Sequence, residues 1–218
     1  MDEDPLPSKN IFTADLLKPS VSASLLPKEE DKSMSSDSKH DPEITMKPSL
    51  DKQPQMVQNI DDFFRYFETF KNDVRFIIPE GLSRFYQKGM DGKVGSSWMT
   101  SEEREFEILD QFYFLNKMLR DFNIKVAQTN VFAFSQGTAT ASRWINQFKL
   151  DFNKVCFWSG IIDLEKHTNL NLNKIEFFVG DNDRFINSAL KKSTLKYFTF
   201  EGGHFFTTKL LQQYIFNQ

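Results

Sequence analysis

Cysteine occurs once among the 218 residues, as Cys156, so no internal disulfide can form. Its neighbours Val155, Phe157 and Trp158 are apolar, which predicts a buried strand and a core thiol rather than a reactive one. Histidine is scarce too. His40, His167 and His204 are scattered, and with one cysteine they offer no metal-ligand spacing. There is no glycine-rich phosphate loop, because Gly180 and Gly202-Gly203 are isolated turns, so no cofactor is expected. Neither sign of charge dominates: 27 Lys and Arg face 30 Asp and Glu, for a net charge of −3. That balance argues against a nucleic-acid partner. Nowhere does the chain run through the roughly 18 uninterrupted apolar residues of a membrane helix, so no membrane span is expected. The opening Met1-Asp2-Glu3-Asp4-Pro5 is acidic and lacks the apolar run of a signal peptide, so the expected location is cytoplasmic.

What is present is uneven. Up to about Gln55, Ser, Pro, Lys, Asp and Glu predominate, with only short apolar pairs such as Leu16-Leu17 and Leu25-Leu26. Such a stretch buries too little apolar surface to offset the entropy of ordering it. The expectation is a disordered polar tail over residues 1–55 and a packed domain over 56–218, where Phe, Ile, Val and Leu accumulate.

Helical spacing of Ile60, Phe63, Phe64 and Phe67 predicts a helix, and Val74–Ile78 a buried strand stopped by Pro79 and Gly81. A long loop is expected through Arg84-Phe85-Tyr86 and Gly95-Ser96-Ser97-Trp98 to Thr100. Thr100 or Ser101 would then cap a helix whose buried face carries Ile108, Phe112, Leu115 and Leu119. Beyond it, strands at 130–134, 154–158, 175–179 and 195–200 alternate with helices at 137–148, near 187–191 and at 207–216. That alternation specifies an α/β fold, a mainly parallel sheet with helices on both faces. Ligands of such sheets bind at the carboxyl ends of the strands, which directs attention to the loops after Ile78, Phe134, Val179 and Phe200.

Three of these loops supply the groups of nucleophilic catalysis. Ser135 sits in Asn130-Val-Phe-Ala-Phe-Ser-Gln-Gly137, an apolar strand breaking into a serine turn before a helix. Such a turn holds a hydroxyl out from the sheet and aims backbone N–H groups at the reacting centre. His204 follows Glu201-Gly202-Gly203 at the end of the last strand, whereas His40 lies in the polar stretch and His167 in a Lys/Asn-rich connection. Asp181 and Asp183 both stand in the loop after Val179. One of them is expected to cap the turn. Asp183 is preferred as the histidine's partner because it lies further into the loop.

The segments Pro79-Glu80-Gly81-Leu82-Ser83-Arg84-Phe85-Tyr86, Val94-Gly95-Ser96-Ser97-Trp98-Met99-Thr100 and Phe134-Ser135-Gln136-Gly137-Thr138-Ala139-Thr140 resemble bacterial α/β-hydrolases of the phospholipase/carboxylesterase type. Gly180-Asp181-Asn182-Asp183 and Gly202-Gly203-His204 fit the same pattern, and the likeness runs from about Ile60 to the C-terminus. It implies hydrolysis of a small-molecule carboxylic ester through an acyl-serine. Ser135 would be the nucleophile, His204 the general base and acid, and Asp183 the orienting carboxylate. The backbone N–H of Gln136 would be one oxyanion-hole donor. Phe85, Tyr86 and Trp98 would line the acyl pocket or pack within their loop. A homodimer is compatible with this reading.

Two departures from the family stand out. Ala133 replaces the usual first glycine of the serine turn, and no His-Gly pair precedes Ser135. The N-terminal strands and the loop that supplies a second oxyanion donor are therefore expected to be missing, with the polar tail in their place. Loss of one such donor costs about 10²–10³-fold in rate. The competing reading is a non-catalytic interaction protein on a degenerate, shortened hydrolase scaffold.

Overall fold

The computed structural model describes residues 9–13, 60–86, 92, 94–186 and 195–216. All belong to one compact unit formed by residues 1–18 and 53–218; a second unit, residues 19–52, lies outside the described residues. In chain order the elements are β1 (Lys9–Thr13), α1 (Ile60–Phe64), β2 (Val74–Ile77), β3 (Ser83–Tyr86) and β4 (Val94–Ser97). They continue with α2 (Arg104–Asp121), β5 (Thr129–Phe134), α3 (Gln136–Phe148), β6 (Lys154–Trp158), β7 (Ile175–Gly180), β8 (Phe198–Phe200) and α4 (Thr208–Leu211).

Six strands form one sheet in the order β2-β1-β5-β6-β7-β8, every neighbouring pair parallel. Side chains alternate across it, as the two-residue period of a strand demands. Val131, Ala133, Val155, Phe157, Ile175 and Phe177 face a core shared with Leu115 and Met118 of α2 and Trp144 and Ile145 of α3. Phe132, Phe134, Cys156, Trp158, Phe178 and Phe200 face the opposite core, closed by Phe63 of α1, Phe67, Phe70, Phe206 and Leu211 of α4. Both faces being covered explains why these strands read as continuous apolar runs rather than alternating ones. The second core is largely aromatic. Phe206 alone meets the rings of Phe63, Tyr66, Phe67, Phe132, Phe134 and Trp158 at centroid distances of 5.1–6.4 Å. Burial there pushes the Cys156 thiol well above its ordinary pKa, so it stays protonated.

Three features differ from the sequence expectations. First, Lys9–Thr13, inside the stretch expected to be a polar tail without strands, pairs with β2 on one side and β5 on the other. Local apolar content is too low to signal this strand. Its hydrogen bonds come from partners more than 60 residues away. Second, the expected loop over 84–100 contains an antiparallel hairpin, β3 with β4, in register Ser83↔Ser97 to Tyr86↔Val94. Third, the helix after it starts from Glu103 in the left-handed region at φ 48°, with no side-chain cap from Thr100 or Ser101. Thr100 instead binds Glu107, its N–H donating to Oε2 over 2.7 Å. The expected short helix near 187–191 lies outside the described residues. Among the described residues no helix is long and apolar enough to cross a membrane.

Candidate active site

Strand β5 delivers Ser135 at the carboxyl edge of the sheet, and the chain must turn there at once into α3. The turn forces Ser135 to φ 52°, ψ −119°, a sparsely populated conformation for a side-chain-bearing residue, which costs about 1–3 kcal/mol. Neighbouring contacts hold it: the Ser135 N–H donates to the Trp158 carbonyl over 2.9 Å, and the Thr138 N–H donates to the Ser135 carbonyl over 3.1 Å. Small residues make room. A Cβ on Gly160, at the end of the adjacent strand, would stand 2.3 Å from Thr138. Ala133 is completely buried in the core that α2 and α3 cover.

The chain after β7 brings in Asp181 and Asp183. Asp183 is fully buried, and its Oδ1 accepts the N–H groups of Phe185 (3.0 Å) and Ile186 (3.3 Å). Its Oδ2 lies 2.8 Å from His204 Nδ1. Asp181 does the other job. Its Oδ1 accepts the Gly202 N–H over 3.0 Å and so ties the loop after β7 to the loop after β8. The two loops touch so closely that a Cβ on Gly180 would stand 2.3–2.4 Å from the carbonyl oxygens of Gly203 and Gly202. Gly202 itself adopts φ 149°.

His204 hangs from that loop with its side chain about 10% exposed, held between the rings of Phe134 (5.1 Å) and Phe185 (4.8 Å). The Trp158 indole N–H donates to the Phe205 carbonyl over 3.0 Å and fixes the backbone beside it. His204 Nε2 then stands 2.9 Å from Ser135 Oγ. Ser135, His204 and Asp183 thus form one continuous chain of hydrogen bonds, though they come from three loops up to 69 residues apart. With Nδ1–H donating to a buried carboxylate, Nε2 is left as the acceptor for the serine proton.

Gln136 opens α3, where helix geometry leaves its backbone N–H without an intrahelical acceptor. Its side chain makes contacts that the sequence did not reveal. Oε1 accepts the Trp98 N–H (2.9 Å) and the Ser97 hydroxyl (3.1 Å), while Nε2 donates to the Met99 carbonyl (2.8 Å). One amide therefore clamps the exit of the hairpin onto the serine turn. The partners lie 37–39 residues away, so no local pattern could have signalled them.

The three aromatic candidates separate. Phe85 and Tyr86 are exposed on the hairpin. The Trp98 indole, expected either to line the acyl pocket or to pack within its loop, is buried in the core cluster that holds Leu115, Ala133 and Ala141. Its carbonyl accepts from the Gln111 side chain. The Pro-Glu-Gly-Leu loop has a structural explanation as well. Buried Glu80 pairs with Arg84 at 2.5 Å, and Gly81 lies so close to the Ser97 backbone that a Cβ would stand 2.4 Å from it. Among the described residues no group of three or more His, Cys, Asp or Glu side chains is arranged to hold a metal ion.

No protein-family model matches the sequence, and no curated protein matches it significantly. Solved structures do. A carboxylesterase from Mesorhizobium loti aligns over 72% of this chain and 83% of its own, at 10% identity and a TM-score of 0.53. The esterase PE8 aligns over 70% of this chain and 82% of its own, at 18% identity and a TM-score of 0.51. An uncharacterized protein from Bacillus cereus ATCC 10987 aligns over 99% of this chain and 60% of its own, at 12% identity and a TM-score of 0.54. At these identities the likeness is one of fold: the chain has the α/β-hydrolase fold of esterase structures.

Proposed function

We propose that the protein is a serine esterase that cleaves small or medium acyl esters through an acyl-serine intermediate. The observation that supports this most directly is the unbroken hydrogen-bond chain Ser135–His204–Asp183 at the carboxyl edge of a parallel sheet. Ser135 Oγ attacks the ester carbonyl as its proton passes to His204 Nε2. The buried Asp183 carboxylate stabilises the imidazolium that forms and keeps the ring in the productive tautomer. The imidazolium then protonates the departing alkoxide. A water molecule, deprotonated by the same nitrogen, releases the acid and restores the serine.

Charge developing on the carbonyl oxygen falls to the Gln136 N–H at the start of α3. Strand β1 bears on the second donor. Thr13 pairs with Phe132, so the chain leaving β1 starts at the same rim of the sheet as Ser135. Residues 14–17 themselves lie outside the described residues. Phe85 and Tyr86, exposed on the hairpin, are the aromatic surface offered to an acyl group from that side.

A fluorophosphonate probe tests the proposal, because it phosphonylates only an activated serine. The full chain is expected to be labelled and Ser135→Ala to be blank, with p-nitrophenyl butyrate hydrolysis following the same pattern. A folded wild-type chain that takes no label would instead favour an interaction protein built on this scaffold.

A further inference from the structure

An open cleft of about 1200 Å³ is lined by α2, α3 and the chain that follows β6. Part of its wall is apolar, formed by Ile108 and Phe112 of α2, Phe148 of α3 and Ile161, and the rest is polar, with Asn116, Asn146 and Gln147 among the lining side chains. Leu109 and Tyr113 continue the apolar surface outward and are 60% and 68% exposed, an unusual outlay of large side chains. Ala139 lies in its lining one helical turn beyond Ser135, and Arg143 one turn further. Eight residues of helix place Arg143 about 12 Å along the axis from the nucleophile.

Arg143 is half-buried, and among the described residues its guanidinium, with five donors, has one hydrogen-bonding contact, the Met99 sulfur at 3.8 Å. Burial lowers its pKa, Arg104 beside it lowers it further, and Glu105 acts in the opposite direction. His167 lines the same cleft, and its Nδ1 is buried with no hydrogen-bond partner. The ionic lining is Arg104, Arg143 and Lys166 against Glu105 and Asp163, a surplus of one positive charge. Lys166 already pairs with Asp163 at 2.9 Å, which leaves the two arginines and Glu105. A site with a surplus of one suits a monoanion better than a doubly charged group. Planar guanidinium matches a carboxylate in particular.

We infer that this cleft receives the far end of an acyl chain that terminates in a single carboxylate, which Arg143 binds while the ester carbonyl lies at Ser135. The inference rests on the esterase reading and names its substrate class: a monoester of a dicarboxylic acid, or an acyl ester of comparable length ending in one negative charge. The apolar part of the wall takes the methylene chain. Arg143 takes the carboxylate, relieving the repulsion between the two arginines.

The test compares two p-nitrophenyl esters of equal chain length, the octanoate and the hemisuberate, on the full chain. The wild type is expected to favour the hemisuberate in kcat/KM, with the difference in KM. In Arg143→Gln that preference should fall about tenfold, Arg143→Lys should keep part of it, and Glu105→Gln should raise it. A preference that survives Arg143→Gln, or a wild type indifferent to the terminal charge, overturns the inference. If neither ester is hydrolysed in a Ser135-dependent way, the esterase reading fails. Calorimetric titration of octanoate then decides the cleft by itself. Saturable binding weakened about tenfold by Arg143→Gln supports it, and absent or indifferent binding overturns it.

Discussion

Asp181 and Asp183 stand two residues apart in one turn, and the chain gives them unrelated work. Asp181 is exposed and binds the backbone of the opposite loop, whereas Asp183 is fully buried and, among the described residues, its side chain contacts His204 and its own turn. The two substitutions should therefore part company. Asp183→Asn should lower kcat by roughly 10⁴-fold, because an amide stabilises the wrong histidine tautomer and cannot balance an imidazolium. Asp181→Asn keeps an acceptor for the Gly202 N–H and should cost about tenfold or less. Steady-state ester hydrolysis at pH 7–8 measures both, and equal losses would remove Asp183 from the role assigned to it. Sequence could propose Asp183 from its depth in the loop, but it could not see that Phe185 and Ile186 would cradle the carboxylate. Gln136 shows the same limit. Its backbone position is legible from the strand–serine–helix pattern, while its side-chain clamp depends on residues that only the tertiary structure brings near.

At the scale of elements, the β3–β4 hairpin is the part least visible in the sequence. Gly95, Ser96 and Ser97 have low strand propensity and read as loop, and only pairing with Ser83–Tyr86 makes them extended. Glu107 of α2 anchors this hairpin. It accepts the Ser83 hydroxyl over 2.6 Å and the Thr100 N–H over 2.7 Å, and these bonds hold its pKa below the ordinary 4.5. A carboxyl depressed in the folded state contributes stability that is fully present above its unfolded value. That contribution is lost as pH falls through the lower folded value. Exchange protection of the Thr100 amide should accordingly be constant above about pH 5 and fall on acidification below 4.5. In Glu107→Gln it should be weak throughout and insensitive to pH. Protection that persists in acid would show that the hairpin is held by other contacts. By contrast β5, β6 and β7 are legible almost residue by residue. Covered faces leave uninterrupted apolar runs that few other structures can accommodate.

For the whole molecule, the decisive feature is where β1 lies. The parallel sheet and its two-sided cover follow from the alternation of strands and helices, but nothing in Lys9–Thr13 announces a strand with neighbours on both sides. Deleting residues 1–18 should separate β2 from β5 and lower the melting temperature far more than a surface substitution does. A synthetic peptide of residues 1–18 added to the 53–218 fragment should recover part of the loss. Circular dichroism melts with and without peptide measure this, and a fragment that melts like the intact chain would show that β1 is dispensable. The same placement sets an order in time. Asn10 is paired with Thr129, roughly 120 residues later in synthesis, so β1 must wait for β5 before it can be enclosed. Until then the edge of β1 that faces away from β2 is open to any passing strand. The growing polypeptide therefore has a built-in interval of vulnerability, and yield in the cell should depend on chaperones that shield it.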